Sequence, residues 1–325
     1  MSEILDLAAT NLLSPVILSF ALGLAAALGR SDLSVPEAAA KALSIYLLFA
    51  IGFKGGVAVA ANGLDGTLIA TLIAGGVLSA ILPFVAFALL RVLTSLSRID
   101  AAAVAGHYGS ISIVTFVAAT SVLEGRAISS EGYMVAVAAV MEAPAILSAL
   151  WLVSTGGSNR RMDGELMREI LLNGSIVLLV GSFFIGMITG EDGLADISSF
   201  IVAPFTGVLC LFLLDMGLVA GRGLREARGV LNLGAVVFGI IMPVVGSLIG
   251  LGAALLVGLS PGGVALLMVL SASASYIAVP AAMRVALPEA NPSVYLTLSL
   301  GVTFPFNLTI GIPLYVAVSQ AVTGG

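Results

Sequence analysis

Two stretches of small and hydroxyl-bearing residues offer the most chemistry in this sequence: Gly106-His107-Tyr108-Gly109-Ser110-Ile111-Ser112-Ile113-Val114-Thr115 and Ser271-Ala272-Ser273-Ala274-Ser275-Tyr276-Ile277-Ala278-Val279-Pro280. Each lies within an apolar run, where a helix that breaks exposes backbone N–H and C=O groups tolerated only around a cavity. β-Branched residues follow in one copy and a proline in the other, so the chain is expected to unwind and restart as a half-helix. A restarted helix aims free N–H groups and its positive dipole end at the bilayer centre, and two such ends facing each other make a site for a small anion. The hydroxyls of Ser110, Ser112, Thr115, Ser273 and Ser275 add donors. Close helix packing explains the small residues of either stretch alone; their equivalent places in the chain, argued below, favour the site.

Ionisable side chains at bilayer depth are costly and therefore informative. Four qualify: Lys54, His107, Glu142 and Asp215. Lys54 and Asp215 stand at an offset of 161 residues and are expected to form one buried structural ion pair. Glu142 precedes Ala143-Pro144, where the proline frees a carbonyl, so carboxylate and carbonyl could share a cation; a protonated, structural Glu142 fits the same place. His107 is the only histidine, which excludes a His-based metal cluster, and a helix-packing role is expected for it over a proton relay. Ser110 shares a helical face with His107, yet no nucleophile elbow, phosphate loop or iron–sulfur cysteine set surrounds them. No enzyme is expected, and no cofactor beyond a coupling ion. Cys210 is the only cysteine, so disulfide frameworks and thiolate clusters are excluded.

The elements that must carry these residues follow from composition. Of 325 residues, 59% are hydrophobic and 10% charged, too little charge for the surface of a water-soluble domain. Ten apolar runs, at 11–29, 36–62, 66–92, 99–123, 130–154, 171–189, 197–221, 231–258, 261–286 and 293–320, are read as spans of a bilayer core about 30 Å thick. They are continuously apolar rather than alternating, which favours an all-α integral membrane protein over a β-barrel. The first nineteen residues lack a positive n-region, since Glu3 and Asp6 stand there, so the first span is expected to be retained. The net charge of −5 points to no nucleic acid; the expected surroundings are lipid.

Basic residues mark cytoplasmic ends. Arg30, Lys41, Arg91, Arg98, Arg160, Arg161, Arg168, Arg222, Arg225, Arg228 and Arg284 fall on one side and Arg126 on the other. Both termini are therefore expected outside the cytoplasm, with Glu124, Glu131, Glu191, Asp192 and Asp196 in outer loops. Self-comparison near an offset of 161 places Ser14-Pro15-Val16 over Ser175-Ile176-Val177, Gly56 over Gly217, Pro83 over Pro243, Ser110-Ile111-Ser112 near Ser273-Ala274-Ser275, and Pro144 over Pro305. Five spans per copy is an odd number, so the second copy enters the membrane in the opposite direction, as in the inverted repeats of many secondary transporters. The repeats are expected at 1–157 and 171–325, joined by a polar cytoplasmic linker at 158–170.

Tyr108-Gly109-Ser110-Ile111-Ser112-Ile113-Val114-Thr115-Phe116, Met141-Glu142-Ala143-Pro144-Ala145 and Leu287-Pro288-Glu289-Ala290-Asn291-Pro292-Ser293-Val294-Tyr295 together resemble the sodium-dependent bicarbonate transporter family, and the similarity reaches Gly311-Ile312-Pro313-Leu314-Tyr315. The Pro-Glu-Ala-Asn-Pro order is its most specific part. The resemblance implies ten spans in a 5+5 inverted repeat, with a core domain of spans 3–5 and 8–10 and a gate domain of spans 1, 2, 6 and 7. It implies bicarbonate, or a similarly small anion, at the crossing of broken spans 4 and 9. Carried over, that site lies at Ser110, Ile111, Ser112 and Thr115 and at Ser273, Ala274, Ser275 and Tyr276. A homotrimer and, from the cyanobacterial members, a PII-like cytoplasmic regulator are implied as well.

This sequence has Tyr276 where the cyanobacterial members carry an Asp after a run of serines, and Ile113-Val114-Thr115 where they carry Gly-Ser-Thr. Glu142, with Thr303 and Asn307 of the tenth span, is then the candidate cation site, for sodium or a proton. The resulting expectation is a secondary-active transporter of the cytoplasmic (inner) membrane that takes up bicarbonate by moving its core against its gate. The rival on the same fold carries another small anion or carboxylate, proton-coupled or uncoupled.

Overall fold

The computed structural model describes residues 13–63, 66–154, 168, 172, 174–226, 232–276, 279–280, 283 and 287–324. The expected linker lies outside the described residues except for Arg168, and so do Arg160, Arg161, Arg228 and Arg284. Among the described residues the chain is helical and contains no strand. The helices are α1 (Pro15–Leu28), α2 (Glu37–Asn62), α3 (Gly66–Leu93), α4 (Arg98–Gly109), α5 (Ile113–Gly125), α6 (Met134–Val140), α7 (Ala143–Ser154), α8 (Gly174–Ile201), α9 (Phe205–Glu226), α10 (Leu233–Val257), α11 (Pro261–Ala272) and α12 (Pro292–Thr323). Eight runs are long and apolar enough to cross a membrane, counting α4 with α5 and α6 with α7; α1 and α11 are shorter, at 14 and 12 residues.

Several starts follow one rule. Ser14, Ser260 and Asn291 each precede a proline at the first helical position, and each side chain accepts a backbone N–H of the first turn, from Ile17, Gly263 and Ser293. The Pro-Glu-Ala-Asn-Pro motif is thereby accounted for: Asn291 caps α12, while its own N–H donates to Asp100 Oδ1 at the head of α4 (2.8 Å). On the other flank, Glu131 accepts the N–H and hydroxyl of Ser260 (2.7 and 3.0 Å) and so ties the head of α11 to the loop before α6.

Two helix pairs cross with backbone in contact. A methyl group at Gly23 of α1 would overlap the Leu214 carbonyl of α9, and one at Gly217 of α9 would overlap the Phe20 carbonyl of α1. Gly56 of α2 meets the Phe183 carbonyl of α8 in the same way, as Gly186 of α8 meets that of Phe53. Small residues allow this approach where lipid supplies no hydrophobic drive between helices. The α1–α9 and α2–α8 pairs are the most extensive in the molecule, whereas α3, α4, α7, α10, α11 and α12 pack chiefly on one another.

Exposure is inverted relative to a soluble protein. Ile69, Ile73, Val77 and Ile81 form an exposed apolar stripe at a spacing of four on α3, and Val177, Phe184, Ile185 and Ile188 lie exposed on α8; an apolar surface of this kind is matched by lipid tails. By contrast every residue from Ala101 to Ala119 is buried. The chain leaves helical geometry at Ser110, and Ser112 is extended (φ −99°, ψ 106°) before α5 begins. Beyond α11, Ser273 is likewise extended (φ −89°, ψ 164°).

The boundary expected between the sixth and seventh runs is different. Residues 191–201, read as outer loop and the start of span 7, are helical: α8 turns at Gly190 (φ 61°, ψ −153°) and continues to Ile201, so the next crossing begins at Phe205. Only glycine adopts that backbone conformation without a Cβ clash, and Glu191 and Asp192 sit exposed on the helix that follows.

Candidate substrate site at two helix interruptions

The two interruptions face each other and are stitched together. The Ser112 N–H donates to Ser273 Oγ (2.9 Å), and the Ser273 hydroxyl donates onward to the Leu270 carbonyl (2.9 Å). The Ser275 N–H donates to the His107 carbonyl (2.8 Å), a group that α4 leaves without an intrahelical partner. The His107 ring returns the contact, with Nδ1 2.6 Å from the Ser275 carbonyl. Asn307 Nδ2 donates to the Ala272 carbonyl at the end of α11 (2.9 Å), and the Tyr315 hydroxyl holds Asn307 Oδ1 (3.0 Å).

These bonds sort the expected donors. Ser112 Oγ is a cap, accepting the Thr115 N–H (3.1 Å) and hydroxyl (2.8 Å). Ser275 Oγ accepts the Val279 N–H (3.4 Å), and Val279, Pro280 and Met283 are helical; residues 277–278, 281–282 and 284–286 lie outside the described residues. Ser273 is the stitch. Ser110 Oγ, Ser271 Oγ and Tyr276 Oη, all buried, have no hydrogen-bond partner, and the Tyr276 hydroxyl lies next to that of Ser112. Ile111 and Ala274 contribute buried backbone with apolar side chains. Beside them the Ile113 and Val114 N–H groups open α5, where intrahelical acceptors do not exist. The donors left open at the two interruptions are therefore the hydroxyls of Ser110, Ser271 and Tyr276, the hydroxyl hydrogens of Ser112 and Ser275, whose oxygens only accept, and the first turn of α5.

No Lys, Arg, Asp or Glu occurs from Ala101 to Leu123 or from Pro261 to Met283. An anion bound there meets dipoles and hydroxyls rather than a formal charge.

The expected ion pair between Lys54 and Asp215 does not form. Lys54 Nζ lies 2.8 Å from Glu124 Oε1 and 5.2 Å above the Phe205 ring. The physical reason is the packing just described: α2 crosses α8 and runs past the end of α5, so Lys54 finds the nearer carboxylate there. This pair joins α2 to α5 and lines a cavity of about 280 Å³ with Thr120, Phe116 and Phe205. Phe116, Thr120 and Glu124 share one face of α5, whose first turn is the interruption itself.

The expected cation set is not assembled by direct bonds. Glu142 is buried with Oε2 lacking a partner. Thr303 Oγ1 donates to the Gly239 carbonyl and accepts the Tyr108 hydroxyl, both at 2.6 Å, while Asn307 serves Ala272 and Tyr315; neither is hydrogen-bonded to Glu142. Gly239 is the carbonyl that Pro243 deprives of its helical donor, so Thr303 repairs a proline break. Ser79 does comparable work at the α6–α7 break, donating to the Met141 carbonyl and accepting the Ala145 N–H. Sequence reasoning missed Ser79, Tyr108 and the Asn291–Asp100 tie. The mid-span prolines were the usable signal, because each frees a carbonyl that some hydroxyl must meet. Among the described residues no group of three or more His, Cys, Asp or Glu could hold a metal ion.

The family model of the Na+-dependent bicarbonate transporter superfamily matches residues 15–320. The chain belongs to that superfamily. No curated protein matches it. As a member it is a multi-pass membrane transporter protein, in accord with eight long apolar runs and an outward-facing apolar surface.

Proposed function

We propose that this protein takes up bicarbonate across the cytoplasmic membrane, driven by a cation gradient, by moving a core domain (α3–α7 and α10–α12) against a gate domain (α1, α2, α8 and α9). The observation that carries the reading is the pair of unpartnered buried hydroxyls, Ser110 and Tyr276, beside the open first turn of α5. Buried polar groups are rarely left unsatisfied, and a small oxyanion supplies the acceptors both hydroxyls lack.

The charge of the ligand follows from the same place. With no formal cation in either interrupted stretch, a divalent anion would carry more uncompensated charge into the membrane than dipoles can offset. A monovalent oxyanion of bicarbonate size fits, and a co-transported cation would neutralise it. Sodium is the cation the superfamily description names; Glu142, buried in the α6–α7 break with an unpartnered oxygen, is our candidate for its contact. Two features support an inverted 5+5 arrangement. Gly56 and Gly217, equivalent by offset, each receive a partner carbonyl at a helix crossing, and the two interruptions contact each other through Ser112 and Ser273.

The deciding experiment is uptake of labelled bicarbonate into proteoliposomes with and without a sodium gradient, competed by formate, nitrate and sulfate. Sodium-stimulated uptake that sulfate leaves untouched is expected. Uptake indifferent to every imposed cation gradient would overturn the coupling, and effective competition by sulfate would overturn the dipole-only site.

A further inference from the structure

His107 is fully buried and makes two hydrogen bonds to one residue of the opposite interruption: its carbonyl accepts the Ser275 N–H (2.8 Å) and its ring Nδ1 lies 2.6 Å from the Ser275 carbonyl. Because the partner of Nδ1 is a carbonyl, which can only accept, Nδ1 carries the hydrogen and the neutral ring leaves Nε2 with a lone pair. Nε2 has no partner. The ring is held flat by Tyr295 of α12, at 4.4 Å between centroids and 23° between planes.

We infer that His107 is a positioning residue for the anion site: it clamps the Ser275 peptide from both sides and so sets where Tyr276, the next residue, presents its hydroxyl. The inference rests on the anion site proposed above. An imidazole that bound the anionic oxygens itself would turn an N–H toward them; here the N–H is spent on a carbonyl and Nε2 can only accept, so the ring donates nothing to them. The clamp also consumes the Ser275 N–H, so of Ser275 only the hydroxyl hydrogen, which its cap on Val279 leaves unused, remains for an anion. A phenylalanine or leucine would satisfy the packing against Tyr295 without these bonds, which is why packing alone does not account for a histidine.

The test compares His107→Asn with His107→Gln. Asn places an amide N–H at the same distance from the backbone as Nδ1, whereas Gln carries it one carbon further and misses the Ser275 carbonyl. In proteoliposomes His107→Asn should keep the KM for bicarbonate within about threefold of wild type, and His107→Gln should raise it about tenfold, the loss of roughly one buried hydrogen bond, with Vmax little changed and the thermal midpoint lowered by about 2–4 °C. His107→Leu should resemble Gln if it folds, and the Asn–Gln pair decides the matter if it does not. Equal KM values for Asn and Gln, or wild-type KM in Gln, would overturn the clamp. Ser110→Ala in the same assay separates the two claims: a raised KM there beside a normal His107→Gln sinks only the clamp, whereas a wild-type KM in both Ser110→Ala and Tyr276→Phe sinks the site on which it rests.

Discussion

Ser110→Ala should have opposite effects on stability and on transport. The Ser110 hydroxyl is buried and bonded to nothing, so in the ligand-free protein it bears a desolvation cost of about 1–3 kcal/mol with no return. Deleting it should leave the thermal midpoint unchanged or raised. In the bound state the same hydroxyl donates to the anion, and its loss weakens binding by about 1 kcal/mol, roughly a fivefold rise in KM. Ser112→Ala is the control, because Ser112 Oγ caps α5 through Thr115; losing a cap costs about 1 kcal/mol and should lower the midpoint by about 2–4 °C. The assay pairs thermal unfolding of the detergent-solubilised protein with bicarbonate uptake in proteoliposomes. A Ser110→Ala protein as destabilised as Ser112→Ala, with unchanged KM, would refute the reasoning, since the hydroxyl would then be a structural bond rather than a vacant donor.

Glu142→Gln keeps shape and removes charge, so uptake should lose its dependence on the driving cation while competition by unlabelled anion persists; unchanged cation dependence would make Glu142 structural. Lys54 and Glu124 link α2 to α5 at 2.8 Å, and cysteines at both positions joined by a bifunctional thiol reagent should arrest uptake until reduced, whereas continued transport would mean that the two helices do not separate. Because this pair is part-exposed (29% and 59%), Lys54→Gln should cost at most about 1 kcal/mol of stability, and adding Asp215→Asn should not rescue it. Single cysteines at Ser95 and Asp192 in a Cys210→Ser background should label from opposite faces of the membrane, and labelling from one face alone would overturn the orientation read from the arginines.

Much of the architecture was legible because the bilayer imposes it. Apolar runs of span length, the mid-span prolines and the two hydroxyl stretches are one-dimensional signals, and they mark eight long helical runs, freed carbonyls that need a donor, and places where helix gives way to extended chain. Element boundaries that depend on one backbone torsion were not legible. The turn at Gly190 converts an apparent loop into helix, and nothing in hydropathy distinguishes a glycine at positive φ from one that merely packs.

Within the candidate site, the sequence by itself determined which residue types were present and that none carried formal charge across the two interrupted stretches. Only the tertiary structure decided which hydroxyls were spoken for. Ser112, Ser273 and Ser275 are alike on the page, yet one caps, one stitches and one is clamped, because a hydroxyl bonds to whatever backbone group the fold brings within 3 Å or so. The Lys54 pairing turned on the same reason: offset arithmetic matched charge with charge, but an ion pair forms where helices pass, and Glu124 of α5 passes closer to Lys54 than Asp215 of α9 does.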